Sequence, residues 1–226
     1  MDKSNRLTAE EWDTRYKEKN IPWHREETDS PLREYLHSYL PPQQKILEIG
    51  PGLGVEAAYM AEKFCHHVTA IDISPQAIQD AIKKQGQTPL LDFKVLDFLH
   101  KEKNYLDEKA PFDAIFDRTC FHTFNSHQSR LNFAKRASQL LKDDGLWISY
   151  SGNSDSVIEY QYPQDFPLPP MLSFQEIFSS VQQYFFLLEA KRCPFIIKRG
   201  NLEKEFLAFA TVWKKKKKKV PDVYPQ

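Results

Sequence analysis

Several features are scarce in this sequence, and each scarcity removes a class of protein. Among 226 residues there are three cysteines, Cys65, Cys120 and Cys193, with no Cys-x-x-Cys pair. Neither a disulfide framework nor a structural zinc site is expected, and the thiols read as packing groups. No apolar run approaches the ~20 residues needed to span a bilayer, and the first residues, Met1 to Arg6, hold no hydrophobic leader core. The expectation is a soluble protein in a reducing, cytoplasmic setting. An excess of one charge is also missing: 31 lysines and arginines balance 31 aspartates and glutamates. That balance weakens any reading as a nucleic-acid binder, although local patches remain. No internal repeat is evident, and 226 residues suit one core with a small appendage.

One further absence bears on chemistry. Lys45 to Glu48 is an apolar β-run, Gly50, Gly52 and Gly54 turn the chain, and a helix pattern follows from Val55 to Phe64. A second β-run, His67 to Ala70, continues through Ile71 to end in Asp72. This is a β-turn-α-β unit whose ligand edge lies at the strand ends. A dinucleotide fingerprint would need glycine at position 55, where the chain has Val55. The glycines instead read Gly-x-Gly-x-Gly after an acid, with free φ and close backbone approach to a ligand.

Upstream, Thr8 and Glu11 form a capping box for a helix over Leu7 to Lys19, with Trp12 and Tyr16 on one face. The aromatic loop Asn20 to His24 leads to Ser30-Pro31, which starts a helix to about Tyr39, and Pro41-Pro42 ends it. Residues 1–42 therefore read as a helical lid segment before the domain at 43–213. Downstream, Ser74-Pro75 starts a helix through Lys84, and Leu90 to Leu96 is a third strand ending at Asp97-Phe98. After a charged interval from His100 to Ala110, Phe112 to Asp117 is a fourth strand with a terminal acid. A helix from Gln128 to Leu141, a break at Lys142 to Gly145 and a fifth strand at Leu146 to Tyr150 follow. The long loop Ser151 to Pro170 precedes a capping box at Ser173 and Glu176. Two last β-runs, Tyr184–Ala190 and Glu205–Trp213, are expected to be antiparallel. Six lysines then open a tail, 214–226, expected to be disordered.

With these pieces in place, the chain resembles the class I S-adenosylmethionine (SAM)-dependent methyltransferases from about Lys45 to Trp213. The matches are Glu48 to Gly54, Asp72 to Ala77, Val95 to Phe98, Phe112 to Asp117 and Leu140 to Gly145, in that order. The resemblance implies a Rossmann-like α/β fold: a mostly parallel seven-stranded sheet with one antiparallel strand, helices on both faces and an N-terminal helical lid. A narrower resemblance, to the thiopurine S-methyltransferase-like group and its thiol and halide methyltransferase relatives, rests on other residues. They are Glu11-Trp12, Pro22-Trp23-His24, Phe116 to Phe121, and Pro169-Pro170 ahead of Ser173 to Glu176. Where that group usually shows Gly-Pro-Pro-Phe, this chain has Leu168-Pro169-Pro170-Met171.

The resemblance implies SAM as cofactor, S-adenosylhomocysteine as product, and a thiol or related chalcogen compound as acceptor. Asp72 is expected to accept from the ribose hydroxyls. Asp97, Phe98 and Ile73 are expected around the adenine, and Gly50, Gly52 and Gly54 against the methionine and ribose. Glu48 and Asp117 are expected near the methionine ammonium. Trp12 and Trp23 are candidates to close over the sulfonium, while His24, Arg118 and His122 are candidates on the acceptor side. No metal is required, and the expected partner is a small molecule met by a monomer. Alternatives are an O- or N-methyltransferase, a tellurite-resistance-type enzyme, and a SAM-binding interaction module without turnover.

Overall fold

The computed structural model describes residues 7–28, 30–100, 105–155, 171–199 and 202–217. The first half alternates: α1 (Ala9–Lys17), α2 (Ser30–Tyr39), β1 (Lys45–Ile49), α3 (Val55–Phe64), β2 (His67–Asp72), α4 (Pro75–Gln85) and β3 (Leu91–Val95). The second half runs α5 (Tyr105–Lys109), β4 (Phe112–Arg118), α6 (His127–Leu140), β5 (Leu141–Gly152), α7 (Phe174–Val181), β6 (Phe185–Arg199) and β7 (Leu202–Lys215). The strands form one seven-stranded sheet in the order β3-β2-β1-β4-β5-β7-β6. Strands β1 to β5 pair in parallel, and β7 runs antiparallel to both β5 and β6. Among the described residues, no helix is long and apolar enough to cross a membrane.

Local signals account for the helix starts. Thr8 and Glu11 form a reciprocal capping box on α1, Ser173 and Glu176 do so on α7, and the Ser74 hydroxyl caps α4 ahead of Pro75. Each satisfies N–H groups that a helix cannot pair internally. Strand side chains alternate between two cores. Ile46, Ala114, Phe116 and Tyr150 face α2, α3 and α4, whereas Leu47, Ile49, Ile115 and Trp147 face α5, α6 and α7.

Four expectations are corrected. First, α2 is not lid: Leu32, Tyr35, Leu36 and Leu40 are buried in the first core, and the Tyr35 hydroxyl donates to the Ala210 carbonyl. Their helical spacing makes an apolar stripe that must be covered. Second, the charged interval contains α5, anchored by buried Leu106 and by the two-pronged Arg136–Asp107 ion pair at 2.7 and 2.8 Å. Third, β6 continues past Ala190 to Arg199 through Pro194, because it is an edge strand with no outer neighbour requiring that N–H. Fourth, the first lysines of the tail are ordered. Lys214 and Lys217 pair with Asp144 at 3.0 Å, and Lys215 donates to the Leu141 carbonyl at 2.6 Å. The rest of the tail, Pro169-Pro170 and most of the long loop lie outside the described residues.

Candidate active site

A cavity of about 540 Å³ opens where the carboxyl ends of β1, β2 and β4 meet α1 and the aromatic loop. Its size falls within the roughly 300–1,000 Å³ typical of small-molecule sites. One wall is Gly50, Pro51 and Gly52, with Asp72 and Ile73 after β2 and Leu96, Asp97 and Phe98 after β3. The opposite wall is Arg118, Thr119, Cys120 and His122 after β4, together with Phe195 and Ile197 of β6. Trp12, Tyr16, Trp23 and His24 cover it.

The glycine turn is built for close approach. Gly52 holds φ +55, and a Cβ there would lie 3.0 Å from the Tyr16 hydroxyl oxygen. Asp72 accepts hydrogen bonds from the Ser74 N–H at 2.9 Å and the Gly52 N–H at 3.4 Å. Burial nevertheless dominates and pushes its carboxyl up to about 6. Asp97 accepts from the Leu99 N–H at 2.9 Å, shaping the turn that carries Phe98 into the wall.

The facing wall is centred on Arg118. Its guanidinium is buried, lies 3.5 Å from Glu56, donates to the Trp23 carbonyl at 3.0 Å, and sits beside the Tyr150 and Phe195 rings. The end of β4 thus holds the covering loop directly. The Lys198 N–H donates to the Pro22 carbonyl and holds that loop from β6. His122 is buried, and its Nδ1 accepts from the Gly152 N–H at 2.6 Å. In the neutral ring the proton therefore sits on Nε2. Burial first, then Arg118, depresses its pKa to about 3. His24 points Nε2 at Glu26 at 3.0 Å, and burial lowers its pKa.

The cover is aromatic. Trp12 and Trp23 meet edge to face at 5.6 Å, Tyr16 and Trp23 at 6.4 Å, and Arg15 lies over Trp12. Tyr16 is buried, and its hydroxyl is held far above its usual range by desolvation and by nearby Asp72.

The structure thus brings together Trp12, Trp23, His24, Gly50, Gly52, Asp72, Ile73, Asp97, Phe98, Arg118 and His122. Three expected residues stand apart. Asp117 has the parity of Ile115, so its carboxylate points into the second core and accepts from the Phe121 N–H and the Trp147 Nε1–H. Glu48 has the parity of Ile46 and is buried near Glu56 and Arg118; burial and Glu56 raise its pKa, and its Oε2 has no hydrogen-bond partner among the described residues. Gly54 starts α3, where a Cβ would come 2.6 Å from the Phe93 ring. Not assigned to the site by the sequence reading are Tyr16 and Glu56, which line it. Only Tyr16 carried a sequence signal, as the i+4 partner of Trp12.

The residues present suit SAM. Asp72 and Asp97 offer carboxylate oxygens, the turn offers backbone, and the lining acids Glu56 and Asp72 complement a ligand with ammonium and sulfonium groups.

This sheet order, with a glycine turn after β1 and acids after β2 and β3, defines the SAM-dependent methyltransferases of class I. Within that class the chain belongs to the thiopurine S-methyltransferase family, whose model matches residues 7–154. It is similar to the human EEF1A lysine methyltransferase 2, 30% identical over 140 residues that span 58% of this chain and 57% of that one. The chain therefore covers little more than half of that relative. Its fold is similar to a structure described for conversion of a disulfide bond into a thioacetal group during echinomycin biosynthesis. That likeness has TM-score 0.75 and 18% identity, over 92% of this chain and 91% of that one. It is also similar to the Burkholderia thailandensis 1,6-didemethyltoxoflavin-N1-methyltransferase with bound 1,6-didemethyltoxoflavin and S-adenosylhomocysteine. There the TM-score is 0.68 at 19% identity, over 92% of this chain and 87% of that one.

Proposed function

We propose that the chain transfers a methyl group from SAM to a small molecule, with a thiol or related chalcogen compound as preferred acceptor. The observation that carries this reading is the two-walled cavity, a glycine and carboxylate wall facing an Arg118 and His122 wall under an aromatic cover. In it, Asp72 accepts from the ribose hydroxyls, Asp97 and Phe98 meet the adenine edge, and Ile73 covers a ring face. Gly50 and Gly52 bring backbone against the methionine and ribose. Trp12 and Trp23 present indole rings to a sulfonium, an attraction of roughly 0.5–2 kcal/mol. Glu48, Gly54 and Asp117 support the walls from behind.

Bound SAM supplies a methyl carbon already activated by positive sulfur. The chain's own work is alignment and exclusion of water. Neither histidine on the acceptor side is a strong base: Nδ1 of His122 is engaged by the Gly152 N–H, and burial lowers the pKa of His24. An alcohol or amine acceptor would call for such a base. A thiol ionises more readily, and the fixed charge of Arg118 favours its thiolate. The fold neighbour described for thioacetal formation from a disulfide accords with sulfur chemistry, whereas the N1-methyltransferase shows that this fold also serves nitrogen.

The test is release of S-adenosylhomocysteine with a panel of thiols, phenols and amines, beside calorimetry with SAM. Saturable SAM binding and turnover fastest on thiols are expected. Turnover confined to amines or phenols would overturn the acceptor class, and silence across the panel would leave a SAM-binding module.

A further inference from the structure

Resting on the reading of the cavity as a SAM site, we propose that Asp13 is a positioning residue for the cofactor. Its carboxylate clasps α1 to the start of α4 and so holds Trp12 and Tyr16 over the glycine wall.

Asp13 Oδ1 accepts from the Ser74 hydroxyl at 2.9 Å and from the Gln76 N–H at 2.7 Å, while Oδ2 pairs with Lys17 at 2.7 Å. The side chain is 14% exposed. A carboxylate at a helix start meets free N–H groups and the positive end of the helix dipole. Ser74 is the hinge of the arrangement. Its hydroxyl also caps α4 by accepting from the Ala77 N–H at 3.1 Å, and its own N–H donates to Asp72 at 2.9 Å. Asp72 accepts in turn from Gly52. One hydrogen-bonded chain therefore links the cover, the cap of α4, the carboxylate proposed for the ribose and the glycine turn.

The clasp matters because α1 otherwise meets the body through its aromatic face, Trp12 and Tyr16 against Trp23. Tyr16 is its one buried residue. Trp12 and Tyr16 lie one position before and three after Asp13, so the angle at which Asp13 docks the helix sets where both rings fall. A cover docked only part of the time weakens cofactor binding by the fraction docked, without altering groups that contact the acceptor.

The experiment compares wild type, Asp13→Ala and Asp13→Asn. Asparagine keeps an acceptor oxygen for Ser74 and Gln76. In Asp13→Ala the SAM Kd and the KM for SAM are expected to rise about tenfold, the scale of losing a charge-assisted hydrogen bond. The kcat on a thiol should stay within about twofold. Asp13→Asn should recover most of the lost affinity. Without SAM, amide exchange over residues 9–17 should quicken in Asp13→Ala alone, with the core strands unchanged. Wild-type affinity in Asp13→Ala would overturn the inference by itself. So would equal loss in both variants, or faster exchange throughout the core, which would mark a merely structural residue. Absence of SAM binding in the wild type would overturn the functional reading, and this inference with it.

Discussion

The carboxylate of Asp117 accepts a hydrogen bond from the indole Nε1–H of Trp147 at 2.8 Å, joining the end of β4 to its neighbour β5 behind the cavity. Its other oxygen accepts from the Phe121 N–H at 2.9 Å, which sets the 3₁₀ turn Phe121–Thr123 carrying His122. A strand-end acid matching a cofactor motif is thus committed to the fold.

Replacing Asp117 by alanine leaves two buried donors without acceptors, each worth roughly 1–3 kcal/mol. We expect Asp117→Ala to lose about 2–5 kcal/mol in denaturant unfolding. The fraction that remains folded should bind SAM within about threefold of wild type, since no direct contact is lost. An unchanged unfolding midpoint with a large loss of SAM affinity would return Asp117 to the cofactor site.

For Asp72 the expectation concerns pH. Burial raises its carboxyl to about 6, and ribose hydroxyls donate to the ionised form. SAM affinity should be flat above pH 7 and fall below about 6 by up to roughly tenfold per pH unit. Asp72→Asn should bind weakly with no such step. His122, depressed to about 3, contributes no inflection in this range. The stability of the free protein should move the opposite way. Between the ordinary aspartate value and about 6, folded Asp72 and Asp117 hold protons that the unfolded chain has released. These two groups therefore lower stability as pH rises through that window, by on the order of 3 kcal/mol each. Calorimetric titrations between pH 5 and 8 check the first and melting curves between about pH 3.5 and 7 the second, and a SAM step near 6 that survives in Asp72→Asn would count against the assignment.

Gly52 and Gly54 should respond differently to the same substitution. At Gly54, a Cβ would sit 2.6 Å from the buried Phe93 ring at φ +74. We expect Gly54→Ala to cost roughly 2–4 kcal/mol of stability from overpacking and left-handed strain together. At Gly52 the nearest atom is the Tyr16 hydroxyl oxygen, at the tip of a cover residue rather than in the core. Gly52→Ala should lower SAM affinity more than it lowers the melting temperature. The reverse ranking would remove Gly52 from the site.

Much of the site was legible because its signals are local. The glycine turn, the carboxylates at 72 and 97, and the caps at Thr8, Ser74 and Ser173 act within a few residues of themselves. Periodicity could then assign strands and helices in order. Strand parity was legible too: alternate residues face opposite sides, so Glu48 and Ile49, or Asp117 and Arg118, cannot share an environment. Applied to those pairs, that rule assigns each residue to one face of the sheet, while its distance from the strand end and its packing decide whether it reaches the cavity.

Other features required the chain to fold. Alone, the sequence determined the class I sheet, the glycine turn and an aromatic N-terminal helix with Trp12 and Tyr16 on one face, since backbone preference and hydrophobic period need no distant partner. Tertiary structure decided that α2 belongs to the core, that Lys214 and Lys217 meet Asp144, that Arg118 grips the Trp23 carbonyl, and that Asp13 docks α1 on α4. These contacts join residues 61 to 175 positions apart in the chain. Their free energy depends on how packed elements are placed in space, which no local pattern encodes.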